Sequence, residues 1–160
     1  MLHIHFGTGR LGLGLVAPFL QTPQSELYLL NRASSGKNAT GSTALDPSRR
    51  NALLQENSRH VYLIDTPGRQ DGPATASDAR EMVHYDGFHT YNDGNVAEII
   101  DEILGQSQEK AKGIVVTGSV LTAANYAPVI EALNAICASK EAGTNEFGNV
   151  YLIALSLIHI

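Results

Sequence analysis

Three glycines near the amino terminus, Gly7, Gly9 and Gly12, stand in the pattern G-x-G-x-x-G within "GTGRLG". Gly7 would allow a tight turn after a strand. Gly9, without a side chain, would let a pyrophosphate approach the backbone, and Gly12 would let a helix pack close to that strand. Phe6, Thr8, Arg10 and Leu11 complete the loop. A helix opening inside it would offer unpaired N–H groups and a positive dipole end to phosphates. The chemistry expected is therefore the binding of a dinucleotide coenzyme. The plain alternative is a tight strand-to-helix turn.

The choice of dinucleotide falls to the end of the next strand. NAD-binding chains usually place Asp or Glu about 20 residues on, to accept the ribose 2′-OH. This chain has "NRASS" there, with Asn31, Arg32, Ser34 and Ser35 and no carboxylate. A guanidinium and hydroxyl donors suit a 2′-phosphate, so the residues favour NADP over NAD. The alternative is a solvated Arg32, with NAD held through the Asn31 amide. Further on, Thr117, Gly118 and Ser119 follow another apolar run. Their hydroxyls could contact a ribose or phosphate, or could cap the next helix.

These residues need a scaffold, and the apolar pattern describes one. Residues 2–6 read as a strand. Residues 10–21 carry Leu11, Leu15, Val16, Phe19 and Leu20 in helical spacing, with Pro23 as a stop. Residues 26–31 are a near-continuous apolar run, as in a buried parallel strand. Residues 32–51, rich in Ser, Gly, Asn and Thr, read as a loop or irregular insertion. A strand is expected over 60–64, a turn-rich connection over 65–77, and a small hairpin pairing 81–85 with 88–91 around Asp86-Gly87. A helix over 96–104 has Asp93 or Asn95 as its candidate cap. A strand over 113–117, a helix over 123–140 with Pro128 near its start, and a strand-like run from 150 to 160 complete the order. Strands alternating with helices predict one α/β domain over residues 1–160, a doubly wound, mostly parallel, Rossmann-like sheet.

Composition sets outer limits. The chain has 160 residues, 43% hydrophobic and 17% charged, and a net charge of −5. This is an ordinary globular composition. The acidic balance favours neither nucleic acid nor an anionic membrane as partner. No apolar run approaches a transmembrane helix and no signal peptide stands at the start. One cysteine, Cys137, allows no internal disulfide, and a reducing, cytoplasmic setting is expected.

Other candidate chemistry is thin. His3 and His5 flank Ile4 and share one strand face, but no third metal ligand is evident. His84 and His89 flank the Asp86-Gly87 turn and read as surface residues. Cys137 falls among Ile130, Leu133 and Ile136 and reads as a small core residue. A tyrosine followed four residues later by lysine would signal a short-chain dehydrogenase, and none of the six tyrosines has that lysine. No catalytic residue is assigned.

The opening "LHIHFGTGRLGLGLVAPFL" resembles the start of the polyol-specific long-chain dehydrogenases, the family of mannitol-1-phosphate 5-dehydrogenase. His5, Phe6, Gly7, Gly9, Gly12, Gly14, Pro18 and Leu20 occupy the fixed positions of that family's HFGxGxxGxGxxxPxL opening. "RHVYLIDTP", "GIVVTGSVLTAANYAPVIEALNAI" and "NVYLIAL" are similar to its later strands and helix. The resemblance implies the coenzyme-binding half of an NAD(P)-dependent oxidoreductase, ending before a helical substrate domain. The whole enzyme would move hydride between the nicotinamide and a sugar alcohol or its phosphate. In that family the proton-transferring lysine lies in the other half, so this half alone is expected to be inactive. The family's mannitol-1-phosphate members usually carry Asp where Asn31 stands, and they use NAD. The other functional class in view is a stand-alone nucleotide-binding or sensing module.

Overall fold

The structure, a computed structural model, describes residues 1–9, 11–33, 47–56, 60–64, 79–119, 123–143 and 145–154. The expectations placed on Arg10, Ser34 and the 65–77 connection lie outside these residues.

The first strand, β1 (Leu2–Phe6), has four of its five residues buried. A π-helical turn over Gly12–Val16 then runs directly into the short helix α1 (Ala17–Leu20). The apolar run "ELYLLNR" forms β2 (Glu26–Arg32). Helix α2 (Pro47–Glu56) and strands β3 (His60–Ile64), β4 (Ala79–His84) and β5 (Gly87–Tyr91) follow. Helix α3 (Val96–Gln106) buries Val96, Ile99, Ile100, Ile103 and Leu104. That spacing draws one apolar stripe along a helix. Strand β6 (Ile114–Gly118) is buried throughout, helix α4 (Ala127–Glu141) follows, and β7 (Val150–Ala154) closes the order.

Five strands form one sheet in the order β5-β2-β1-β6-β7, every pair parallel. The chain starts at the centre, winds outward to one edge, then crosses back and winds to the other. This is the doubly wound, Rossmann-like α/β arrangement expected. Helices α3 and α4 cover the face that carries Leu2, Ile4 and Phe6. On the other face Val16, Ala17, Leu20 and Leu54 pack with Leu27, Leu29 and Phe88. Strand β7 is an edge strand, and Tyr151, Leu152 and Ile153 are each about half exposed.

Four expectations need correction. Residues 81–85 and 88–91 do not pair as a hairpin. Strand β4 pairs antiparallel with β3 in a separate ribbon, while β5 joins β2 in parallel. The Asp86-Gly87 step is the hinge between the two sheets. Asp86 is tied to β2, its N–H donating to the Leu27 carbonyl at 2.7 Å and its carboxylate accepting the Leu27 N–H at 2.8 Å. Gly87 then lies under the Tyr28 ring, where a Cβ would come within 2.6 Å. The glycine serves a close strand approach, not a reverse turn.

The stretch read as a loop to residue 51 contains the start of α2. Asn95 does stand at the start of α3, but its side chain does not cap the helix. Its Oδ1 accepts the Asn92 N–H at 2.7 Å instead. Cys137 is exposed, not core. Helix α4 buries Pro128, Val129, Ala132, Ile136 and Ser139, and one step past Ile136 turns Cys137 outward by about 100°.

Candidate coenzyme site

In doubly wound sheets the ligand crevice opens at the carboxyl ends of the strands, where the winding reverses. Here that point lies between β1 and β6. Phe6 pairs with Gly118 at the end of the register, so the loop after β1 and the loop after β6 emerge side by side. Sequence positions 7–9, 11–12 and 117–119, the last group more than a hundred residues on, thus meet at one edge.

The three motif glycines divide into two kinds. Gly7 has φ +104, a conformation that side chains resist, and a Cβ there would stand 2.7 Å from Ser119 Oγ. A Cβ on Gly12 would lie 1.9 Å from the Gly7 carbonyl oxygen. Neither position has room for a side chain. Gly9 is the opposite case, with nothing among the described residues within 4 Å of where its Cβ would be. The backbone is therefore closed at both ends of the loop and open in the middle. The loop is held by a bond from the Gly7 N–H to the Leu30 carbonyl, 2.9 Å, and one from the Leu13 N–H to the Gly9 carbonyl, 2.9 Å.

Thr8 is buried, and its Oγ1 has no hydrogen-bond partner among the described residues. Such an orphaned hydroxyl is uncommon and costs free energy unless something completes it. Phe6 contributes backbone only, because its ring is in the core, edge-on to Tyr91 at 5.6 Å between centroids. Leu11 packs against the apolar cluster under α1. Gly118 approaches helix α4, not open space: its Cβ would be 3.3 Å from Tyr126.

Thr117 and Ser119 both turn toward His5. The Thr117 hydroxyl is 2.6 Å from His5 Nδ1, and the Ser119 hydroxyl is 3.2 Å from His5 Nε2. Burial pushes the His5 imidazole down to about 4, a bond to the Gly7 backbone opposing this weakly. The ring is neutral at physiological pH. His3, on the same face, has its pKa lowered by burial and by the nearby amino terminus. No group of three or more metal-ligating side chains occurs among the described residues. His84 is exposed, as expected, whereas His89 is partly buried and stacks against Tyr28.

At the end of β2 the side chains are already engaged. The Asn31 amide donates to Asn51 Oδ1 at 2.6 Å, and the Asn51 amide donates to the Arg32 carbonyl at 3.1 Å. The Arg32 guanidinium meets the Asp93 carboxylate at 2.5 Å. Arg32, Asp93, Gly94, Pro128 and Glu131 line a cavity of about 280 Å³ at this same edge of the sheet. A cavity of about 300 Å³ between Gln21, Leu27, His84 and Asp86 lies at the opposite edge.

This chain matches no protein-family model, no curated protein and no solved structure.

Two residues, Arg50 and Asn51, carry no signal of their own in the motifs above, and Asp93, a candidate cap, pairs with Arg32 instead. Arg50 on α2 donates to the Thr8 carbonyl at 3.4 Å, bringing a cation to the glycine loop. Asn51 fixes Asn31, and Asp93 fixes Arg32. The signal for the first two was "DPSRRNALLQE", where Asp-Pro is a helix-opening pair.

Proposed function

We propose that this chain binds a nicotinamide dinucleotide and serves as the coenzyme half of an oxidoreductase acting on a sugar alcohol or sugar-alcohol phosphate. The observation that carries the coenzyme reading is the open position at Gly9 between the closed positions at Gly7 and Gly12. It lies at the crevice where a doubly wound sheet takes its ligand. A diphosphate laid over Gly9 would meet backbone without a side chain in the way. The Thr8 hydroxyl and the Arg50 guanidinium stand next to that position, one lacking a partner among the described residues and the other positively charged. The bound nicotinamide would supply the hydride chemistry, and these residues supply binding and orientation.

The dehydrogenase part of the reading rests on the resemblance of the opening motif to the polyol-specific family. The choice between NADP and NAD turns on Arg32. Its ion pair with Asp93 is solvent-exposed on both sides, so releasing the guanidinium to a 2′-phosphate costs about 0–1 kcal/mol. NADP therefore remains the better fit to these residues, although Asp93 offers the 2′-OH of NAD an acceptor.

The test is a fluorescence titration of the purified chain with NADH and NADPH, followed by assays with mannitol 1-phosphate, fructose 6-phosphate and free polyols. Saturable binding with no turnover is expected. Absence of binding by either coenzyme overturns the reading, and turnover by this chain alone overturns its assignment as a half-enzyme.

A further inference from the structure

The fully buried His5 lies directly beneath the glycine loop, on the central strand. Its Nδ1 faces Thr117 Oγ1 at 2.6 Å and its Nε2 faces Ser119 Oγ at 3.2 Å. A carbonyl can only accept, so the Ser119 hydroxyl gives its one proton to the loop carbonyls and accepts from His5 Nε2–H, which leaves Nδ1 to accept the Thr117 hydroxyl. The Ser119 hydroxyl in turn donates toward the loop carbonyls, 3.2 Å from Gly7 O and 3.3 Å from Phe6 O. Every donor then points one way, from β6 through the imidazole into the turn.

We propose that His5 is a positioning residue for the coenzyme, holding the Gly7 turn through Ser119 in the shape that receives the dinucleotide's diphosphate. The proposal rests on the coenzyme reading above. Its second support is the space the glycines leave. A Cβ on Gly7 or on Gly12 would come within 2.7 or 2.8 Å of Ser119 Oγ, and one on Gly12 within 2.8 Å of His5 Nε2. Two of the three motif glycines thus make room for the clamp, and only Gly9 makes room for the ligand. The backbone N–H of Ser119 adds a bond to the Phe6 carbonyl at 2.9 Å, which ties the loop after β6 to the end of β1. The neutral ring brings no charge to the phosphates. What it contributes is a fixed turn, formed before the ligand arrives, so that less ordering is left for the binding step.

The experiment titrates the intact chain with NADH and NADPH and reads hydrogen exchange at the Gly7 and Ser119 N–H groups in parallel. Ser119→Ala and His5→Leu are expected to weaken the preferred coenzyme about five- to tenfold and to speed both exchange rates. His5→Gln, whose amide can donate toward Ser119, should recover most of the affinity. Ile100→Val, in the core on the other face, should lose stability yet bind as wild type. Nitrogen-15 spectra should show His5 as the neutral Nε2–H tautomer. Wild-type affinity and exchange in Ser119→Ala overturn the proposal, and so does a loss of affinity shared by Ile100→Val. Should His5→Leu fail to fold, Ser119→Ala decides alone. If the wild-type chain binds neither coenzyme, the coenzyme reading fails. Exchange in Ser119→Ala then decides the clamp by itself: faster exchange retains it as a brace of the turn, and unchanged exchange removes it.

Discussion

The Arg32 guanidinium and the Asp93 carboxylate meet at 2.5 Å across the carboxyl ends of two neighbouring parallel strands. A carboxylate thus stands beside the end of β2, carried by the segment after β5. A 2′-phosphate would compete with Asp93 for Arg32, while a 2′-OH could donate to Asp93 and leave the pair intact. Arg32→Ala should weaken NADPH about ten- to a hundredfold and leave NADH nearly unchanged. Asp93→Asn should strengthen NADPH by removing both competitor and repulsion. Asn31→Asp should shift preference toward NADH. Calorimetry of the three variants with both coenzymes checks this. An equal effect of Arg32→Ala on both would make Arg32 a surface residue and NAD the better assignment.

The glycines should separate folding from binding. Gly9→Val places its side chain in open space, so its thermal midpoint should stay near wild type while coenzyme binding is lost. Gly12→Ala puts a Cβ against the Gly7 carbonyl and should cost about 1–3 kcal/mol or more, from overpacking alone. Thermal unfolding and titration of each variant make the comparison. A folded Gly9→Val that binds as wild type would refute the cradle.

Acid should destabilise the fold through His5. Its folded pKa is about 4 against an ordinary 6.5, so below pH 6.5 the unfolded chain takes up a proton that the folded chain refuses. The stabilisation is complete above pH 6.5 and declines as pH falls, at up to about 1.4 kcal/mol per pH unit, to a total of roughly 3 kcal/mol near pH 4. Burial lowers His3 and His89 in the same direction. Urea unfolding at pH 7, 6, 5 and 4 should give this decline, and His5→Gln should show a shallower one. Equal slopes in the two proteins would exclude His5 as the source.

Cys137, on the outward side of α4, should react with a thiol reagent in the native state at one equivalent per chain. Cys137→Ser should alter stability by less than about 0.5 kcal/mol. A need for denaturant before labelling would return Cys137 to the core.

The parts of the fold legible in the sequence are those whose signals are local. The β1–glycine loop–helix–β2 order, the α3 stripe and the buried runs of β2 and β6 all lie within single short windows. Strand pairing is not local. Nothing around Asp86-Gly87 says that the partner of Gly87 is Tyr28, 59 residues earlier, and so a step between sheets looked like a hairpin turn. Helix α2 carries no such signal, because its arginines and Asn51 sit where an apolar stripe would begin. The site divides likewise. Gly7, Gly9 and Gly12 are readable as a spacing, whereas the His5–Ser119 contact joins positions 114 apart and exists only once β1 and β6 are adjacent.

That adjacency also sets a timetable. Strand β1 leaves the ribosome before the other strands of its sheet, and it pairs with β2 within about one helix's length of further chain. Its other edge waits for β6, whose Thr117 follows His5 by 112 positions. At about 5–20 residues per second, that wait is of order ten seconds. Throughout it, the strand that ends up deepest in the sheet carries an open row of hydrogen-bonding groups. The nascent chain is therefore most exposed to mispairing along the strand that will hold the glycine loop. Slow decoding between β5 and β6 would lengthen that window, and fast decoding would shorten it.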